Sequence, residues 1–148
     1  MPTRGTAWLT LAATASFAVA VLHVAIAFTG TAAYAYFGAP TGLVDAAERG
    51  SAVPALITLL IALMAAIFGL FALSGAGRAP ALPALRIVLV GISGIYLLRG
   101  LVVVPELVLF LHTSTLPPRM LAFSAAALVI GIVHTVGTAL RWPSLPRA

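Results

Sequence analysis

Cysteine is missing from all 148 positions of the chain. Its absence removes disulfides, thiolate metal sites and thiol redox chemistry, and with them the quinone-linked disulfide enzymes of similar size. Lysine is missing too, so the net charge of +5 comes from eight arginines set against three acids. Charged residues make up 7% of the chain, where soluble domains carry roughly a quarter. The arginines are scattered at the ends of apolar runs, a pattern that serves membrane topology and not nucleic-acid binding. No nucleic-acid partner is expected.

What is present is apolar. The chain is 62% hydrophobic, with a mean hydropathy of +1.17. A helix that spans a bilayer needs about 20 mostly apolar residues. Four runs meet that need: 6–28, 53–74, 85–104 or on to 111, and 120–140. The expected fold is therefore an all-α membrane protein, one bundle of four transmembrane helices over 1–148 with no extramembrane domain. Arg4, Arg78, Arg86, Arg141 and Arg147 fall on one side of such a bundle. Arg49 and Arg119 fall on the other, with Asp45, Glu48 and Glu106. Five arginines against two put both termini in the cytoplasm. A basic cytoplasmic rim also suits the anionic headgroups of membrane lipids. The first apolar run is not expected to be a signal peptide, because it continues well past the small-x-small "AVA" at 18–20.

Three of the helices carry small residues at helical spacing. Ala12, Ser16 and Ala20, then His23 and Ala27, share one face of the first. Ala62, Ala65, Ala66 and Gly69 do so in the second, and Ser124, Ala127, Gly131, His134 and Thr138 in the fourth. Small faces let membrane helices approach closely, since lipid supplies no hydrophobic drive between them. The outer loop, 29–51, holds Tyr34, Tyr36 and Phe37, aromatics suited to the bilayer interface. After it, "GAPTG" breaks any helix and "LVDAAERG" predicts a short amphipathic one ended by Gly50. "SGAGRAPALP" makes a tight second connection, and Pro117–Pro118 close the third. No internal repeat is visible.

The residues that can carry chemistry cluster in the stretch "GIYLLRGLVVVPELVLF". At 100° per residue Ile92, Tyr96, Arg99, Val103, Glu106 and Phe110 form one stripe. Arg99 and Glu106 lie about 10.5 Å apart along the axis, facing the same way without needing to touch. Pro105 leaves two arrangements open. If the span ends near Val104, Arg99 lies close to the outer surface and Glu106 starts a short outer segment. If it runs to Leu111, Arg99 lies near the midplane, where a charge costs about 2.5–3.5 kcal/mol. His23, His112 and the tyrosines Tyr34 and Tyr36 belong to the same outer half, so the expected ligand-binding set is Arg99, Glu106, His23, Tyr96, Tyr34, Tyr36 and His112. Each of them also has a bland role as a local hydrogen-bonding or packing residue. His23 and His134 differ in expected depth by roughly 13 Å, too much for two axial ligands of one haem. His112 completes no metal-binding spacing. No cofactor and no metal are expected.

"YAYFGAP", "GLFALSGAG" and "IYLLRGL", taken together, resemble small uncharacterised four-helix proteins of bacterial inner membranes. The resemblance covers nearly the whole chain and implies a multi-pass protein of the inner (plasma) membrane, without any catalytic or binding role to carry over. Multidrug exporters of similar size have an acid in the first helix, which this chain lacks, and glutathione-transferring membrane enzymes have asparagine motifs, whereas asparagine is absent.

Three functions follow as expectations. The first is a non-enzymatic protein that binds or moves a small anionic or lipid-like ligand through the outward-facing polar cluster, as a homo-oligomer where transport is involved. Arg99 would be the anion-binding charge, Glu106 its counter-charge or proton site, and His23 a titrating or hydrogen-bonding member. The second is an accessory or assembly subunit that docks the Arg99–Glu106 stripe onto a membrane-protein partner. The third, a membrane enzyme or haem protein, finds no nucleophile–base or metal signature in the chain.

Overall fold

A computed structural model of the chain describes residues 4–113 and 115–146; Arg147, counted above with the basic rim, lies outside them. Its elements are α1 (Arg4–Thr29), α2 (Thr31–Tyr36), α3 (Thr41–Glu48), α4 (Val53–Gly75), α5 (Leu85–Leu101), α6 (Val103–Thr113) and α7 (Pro118–Arg141), followed by a 3-10 turn at Trp142–Ser144. No strand occurs among the described residues. Four stretches are long and apolar enough to cross a membrane: Arg4–Thr29, Val53–Gly75, Leu85–Thr113 and Pro118–Ser144. In a helix every interior N–H and C=O finds its partner within the segment, which is what a bilayer would require of a spanning stretch. Even the hydroxyls follow this rule. Thr10, Thr58, Ser93 and Thr135 each donate to the carbonyl four residues earlier at 2.8 Å.

The chain forms two compact units. The first comprises residues 4–15 and 68–146. Its core gathers Leu9, Leu85, Leu89, Ile92, Tyr96 and Leu145, with Phe68, Phe71 and Ile130 packed against them. α5 and α7 run antiparallel along one another, so Leu97 meets Gly131 and Gly100 meets Leu128. A Cβ on Gly100 would sit 2.3 Å from Leu128 Cα, and one on Gly131 would sit 2.7 Å from the Leu97 nitrogen. The two backbones are therefore in contact, as the small-residue stripe of α7 predicts. Ser124, Gly131, His134 and Thr138 of that stripe are all buried.

The connection between α4 and α5 turns at Gly77, whose φ is +73°. Ser74 staples it, donating to the Pro80 carbonyl at 2.8 Å and accepting from the Leu82 N–H at 3.0 Å. At the other end of the unit Pro117 adopts the extended conformation that a following proline favours, and Pro118 opens α7 at its first turn.

The second unit comprises residues 16–67. Ile26, Ala33 and Tyr34 are its buried core, packed by Phe37, Val44 and Ala47. α2, a helix of six residues, replaces part of the expected loop; Gly30, at φ +84°, separates it from α1. α3 ends as its sequence suggests. Gly50 takes a φ of +76°, and the Ser51 N–H reaches back to the Ala46 carbonyl at 2.9 Å. Within this unit α1 and α4 border an open apolar groove of about 480 Å³, floored by Ala20, Ala62 and Ala66.

Candidate functional site

The interruption between α5 and α6 organises the polar residues of the first unit. A proline within a helix offers no N–H to the carbonyl four residues earlier and crowds it with its ring. For Pro105 that carbonyl belongs to Leu101, and Leu101 is where α5 ends. Val102 is the single residue between the helices, at φ −58° and ψ −22°. The helical ladder resumes at once, with the Glu106 N–H donating to the Val102 carbonyl at 3.2 Å. The apolar run Leu85–Thr113 is thus one candidate span with a one-residue interruption. Arg99 falls in the last turn of α5 and Glu106 in the first turn of α6. Each charge has the sign favoured at its helix end.

Arg99 is exposed, and its Nη1 donates to the Ser124 hydroxyl at 2.9 Å. The contact of Gly100 with the α7 backbone is what brings the two residues within reach. Around the guanidinium the surface of α5 is apolar, with Ile95, Leu98 and Leu101 each about half exposed or more. Glu106 is half-buried, and its Oε2 is buried without a hydrogen-bond partner among the described residues. Arg99 is therefore anchored by α7 and not by Glu106.

Tyr96, one turn before Arg99, is buried. Its ring stacks on His134 at 5.3 Å between centroids and meets Phe68 edge-on at 5.9 Å. His134 is fully buried. This aromatic pair joins α5 to α7 in the unit's core. His112 is exposed near the end of α6, where its Nδ1–H donates to the Val108 carbonyl at 2.9 Å.

The remaining expected residues lie in the second unit. His23 is half-buried and donates from Nδ1 to the Val19 carbonyl at 2.8 Å. Tyr34 is buried, with its hydroxyl directed at the Ala27 carbonyl at 3.5 Å, and its ring is core rather than open surface. Tyr36 is exposed and packs edge-on against Phe37 at 5.1 Å. Tyr96 (buried), Arg99 (exposed), Glu106 (half-buried) and His112 (exposed) thus belong to the first unit, and His23, Tyr34 and Tyr36 to the second. Among the described residues no three acids or histidines gather as metal ligands do.

Two features go beyond what the sequence conveys. Spacing alone gives Ser124 a packing role, whereas it anchors Arg99. A hydroxyl on the small-residue stripe of α7 is the one available signal. Arg86 and Arg141 read in the sequence as topology signals, and in the structure both bind backbone. Arg86 donates from Nη2 to the carbonyls of Trp142 (3.0 Å) and Leu145 (2.8 Å) and lies 5.0 Å from the Trp142 ring centre. Arg141 donates from Nε to the Gly75 carbonyl at 3.1 Å. Both supply donors at or just beyond helix ends, where carbonyls run out of partners within the helix.

No protein-family model, curated protein or solved structure matches the chain.

Proposed function

We propose that the chain is a small four-helix bundle of the bacterial inner membrane, with cytoplasmic termini, that binds or moves an anionic, lipid-like ligand at Arg99. The observation that carries this reading is the setting of one guanidinium. Arg99 is exposed on an apolar helix face, and a single neutral hydroxyl holds it. An arginine presents five donors in a planar fork that matches carboxylate and phosphate. An ionisable residue on a membrane-crossing segment is retained chiefly for function. The apolar surroundings select a ligand with an acyl or other apolar part beside its charge.

Glu106 supports the same reading as a neighbouring carboxyl that limits the local positive charge. Ser124 fixes the direction of the guanidinium. The test is native mass spectrometry of purified wild type and Arg99→Ala in mild detergent. Wild type should retain an anionic ligand that the variant loses at unchanged helix content. Equal retention by both proteins would refute the reading. A stoichiometric protein partner, lost on the same substitution, would replace it with an accessory-subunit role.

A further inference from the structure

A second anion site can be built at the opposite end of the first unit. Arg141 leaves α7 and runs across two glycines that leave room for it. Its Cγ lies 2.8 Å from where a Cβ on Gly5 would stand, and its Nη2 lies 3.5 Å from the corresponding point on Gly77. Arg4 and Arg78 are the chain neighbours of those two glycines, so their backbone stands next to the Arg141 side chain. Arg141 engages Gly75 through Nε alone. Arg4 and Arg78 are exposed. Arg86 stands beside this spot, already bonded to the Trp142 and Leu145 carbonyls.

Within the first unit no acid answers this charge. Glu106 is the one acidic residue of the unit, and it lies 20 residues beyond Arg86 along α5 and α6, about 30 Å at 1.5 Å per residue. That distance is the hydrocarbon thickness of a bilayer. Trp142, 41% exposed and lying beneath the Arg86 guanidinium, is the kind of side chain that settles at the headgroup level.

We propose that Arg4, Arg78 and Arg141 form a binding site for the phosphate of an anionic phospholipid headgroup in the cytoplasmic leaflet. The partner is a lipid and not a soluble anion, because the site stands at the end of apolar spans, where acyl chains lie alongside α5 and α7. The proposal rests on the membrane placement given above and is independent of Arg99. Removing Arg4 and Arg78 takes away two exposed charges and no side-chain hydrogen bond seen in the structure. Each arginine near an anionic surface contributes roughly fivefold in binding.

The experiment is lipid-exchange native mass spectrometry on the full chain in nanodiscs of zwitterionic lipid doped with phosphatidylglycerol. Arg4→Gln/Arg78→Gln should bind phosphatidylglycerol roughly twentyfold more weakly than wild type. Arg49→Gln/Arg119→Gln, which removes the same charge elsewhere, should bind as wild type does. Equal weakening in both double variants would reduce the effect to net charge and overturn the proposal, as would equal binding by all proteins. Inorganic phosphate at millimolar concentration should leave lipid binding unchanged. Full displacement by phosphate would assign the site to a soluble anion instead.

Discussion

Arg86 stands in the first turn of α5 and Arg99 in its last, and the two guanidinium groups have opposite surroundings. The first turn of a helix disfavours a cation and the last turn favours one. Arg86 is nevertheless well held, because the antiparallel α7 ends beside it and offers two carbonyls, at 3.0 and 2.8 Å, and an indole ring. Arg99 has the favourable helix end but only the Ser124 hydroxyl at 2.9 Å. One arginine therefore completes the fold, while the other is placed by the fold and left open. The difference lies in what each meets across the same helix pair, and position within α5 alone gives no hint of it.

The seam that sets both surroundings is the first thing to break. Gly100→Val puts side-chain atoms where the Leu128 backbone already is. Overpacking against flexible neighbours costs about 1–3 kcal/mol, and a clash with backbone should reach the upper end or beyond. Thermal unfolding in detergent should show the largest loss among these substitutions, with Arg99 parted from Ser124 as well. An unfolding temperature near that of wild type would mean that α5 and α7 are not in backbone contact.

Next comes Arg86→Gln, which removes charge-assisted bonds to two carbonyls and the contact with Trp142. Hydrogen bonds to a charged group contribute about 1.5–3 kcal/mol when buried. Arg86 is only partly buried, so solvent screening brings the expected loss to about 1–2 kcal/mol. Anionic ligand at Arg99 should be unaffected in the folded fraction.

Ser124→Ala should have the smallest effect on stability, about 0.6 kcal/mol, the average for hydrogen bonds between membrane helices. Its consequence should be functional: an unanchored Arg99 samples more rotamers, and ligand affinity should fall several-fold at nearly unchanged unfolding temperature. Isothermal titration with the ligand identified by mass spectrometry reads this directly. A large loss of stability without a loss of affinity would make the Arg99–Ser124 bond structural.

Much of the fold is legible in the sequence because apolar length and small-residue spacing speak directly to a bilayer. The runs 6–28, 53–74 and 120–140 agree with α1, α4 and α7 to within two residues at each end. The stripe on α7 is visible because, in so apolar a chain, small residues at helical spacing mark a face that meets another helix. The break at Val102 is harder to see, since Pro105 acts on a carbonyl four residues upstream and leaves its own position helical. α2 is hidden because six residues are too few to show a period. The shared face of Tyr96, Arg99 and Glu106 can be drawn on a wheel, but Ser124 as the anchor cannot. That pairing depends on the register of α5 against α7, fixed where Gly100 touches Leu128.

Arg99 is exposed with one hydroxyl partner, while Arg86 is bonded to two carbonyls. Arg99→Gln and Arg86→Gln, measured side by side for bound anionic ligand and for unfolding temperature, test this contrast most directly. A crossover is expected: Arg99→Gln loses the ligand and keeps its stability, whereas Arg86→Gln keeps the ligand and loses stability. The contradictory result is an Arg99→Gln protein that retains the ligand and unfolds as early as Arg86→Gln.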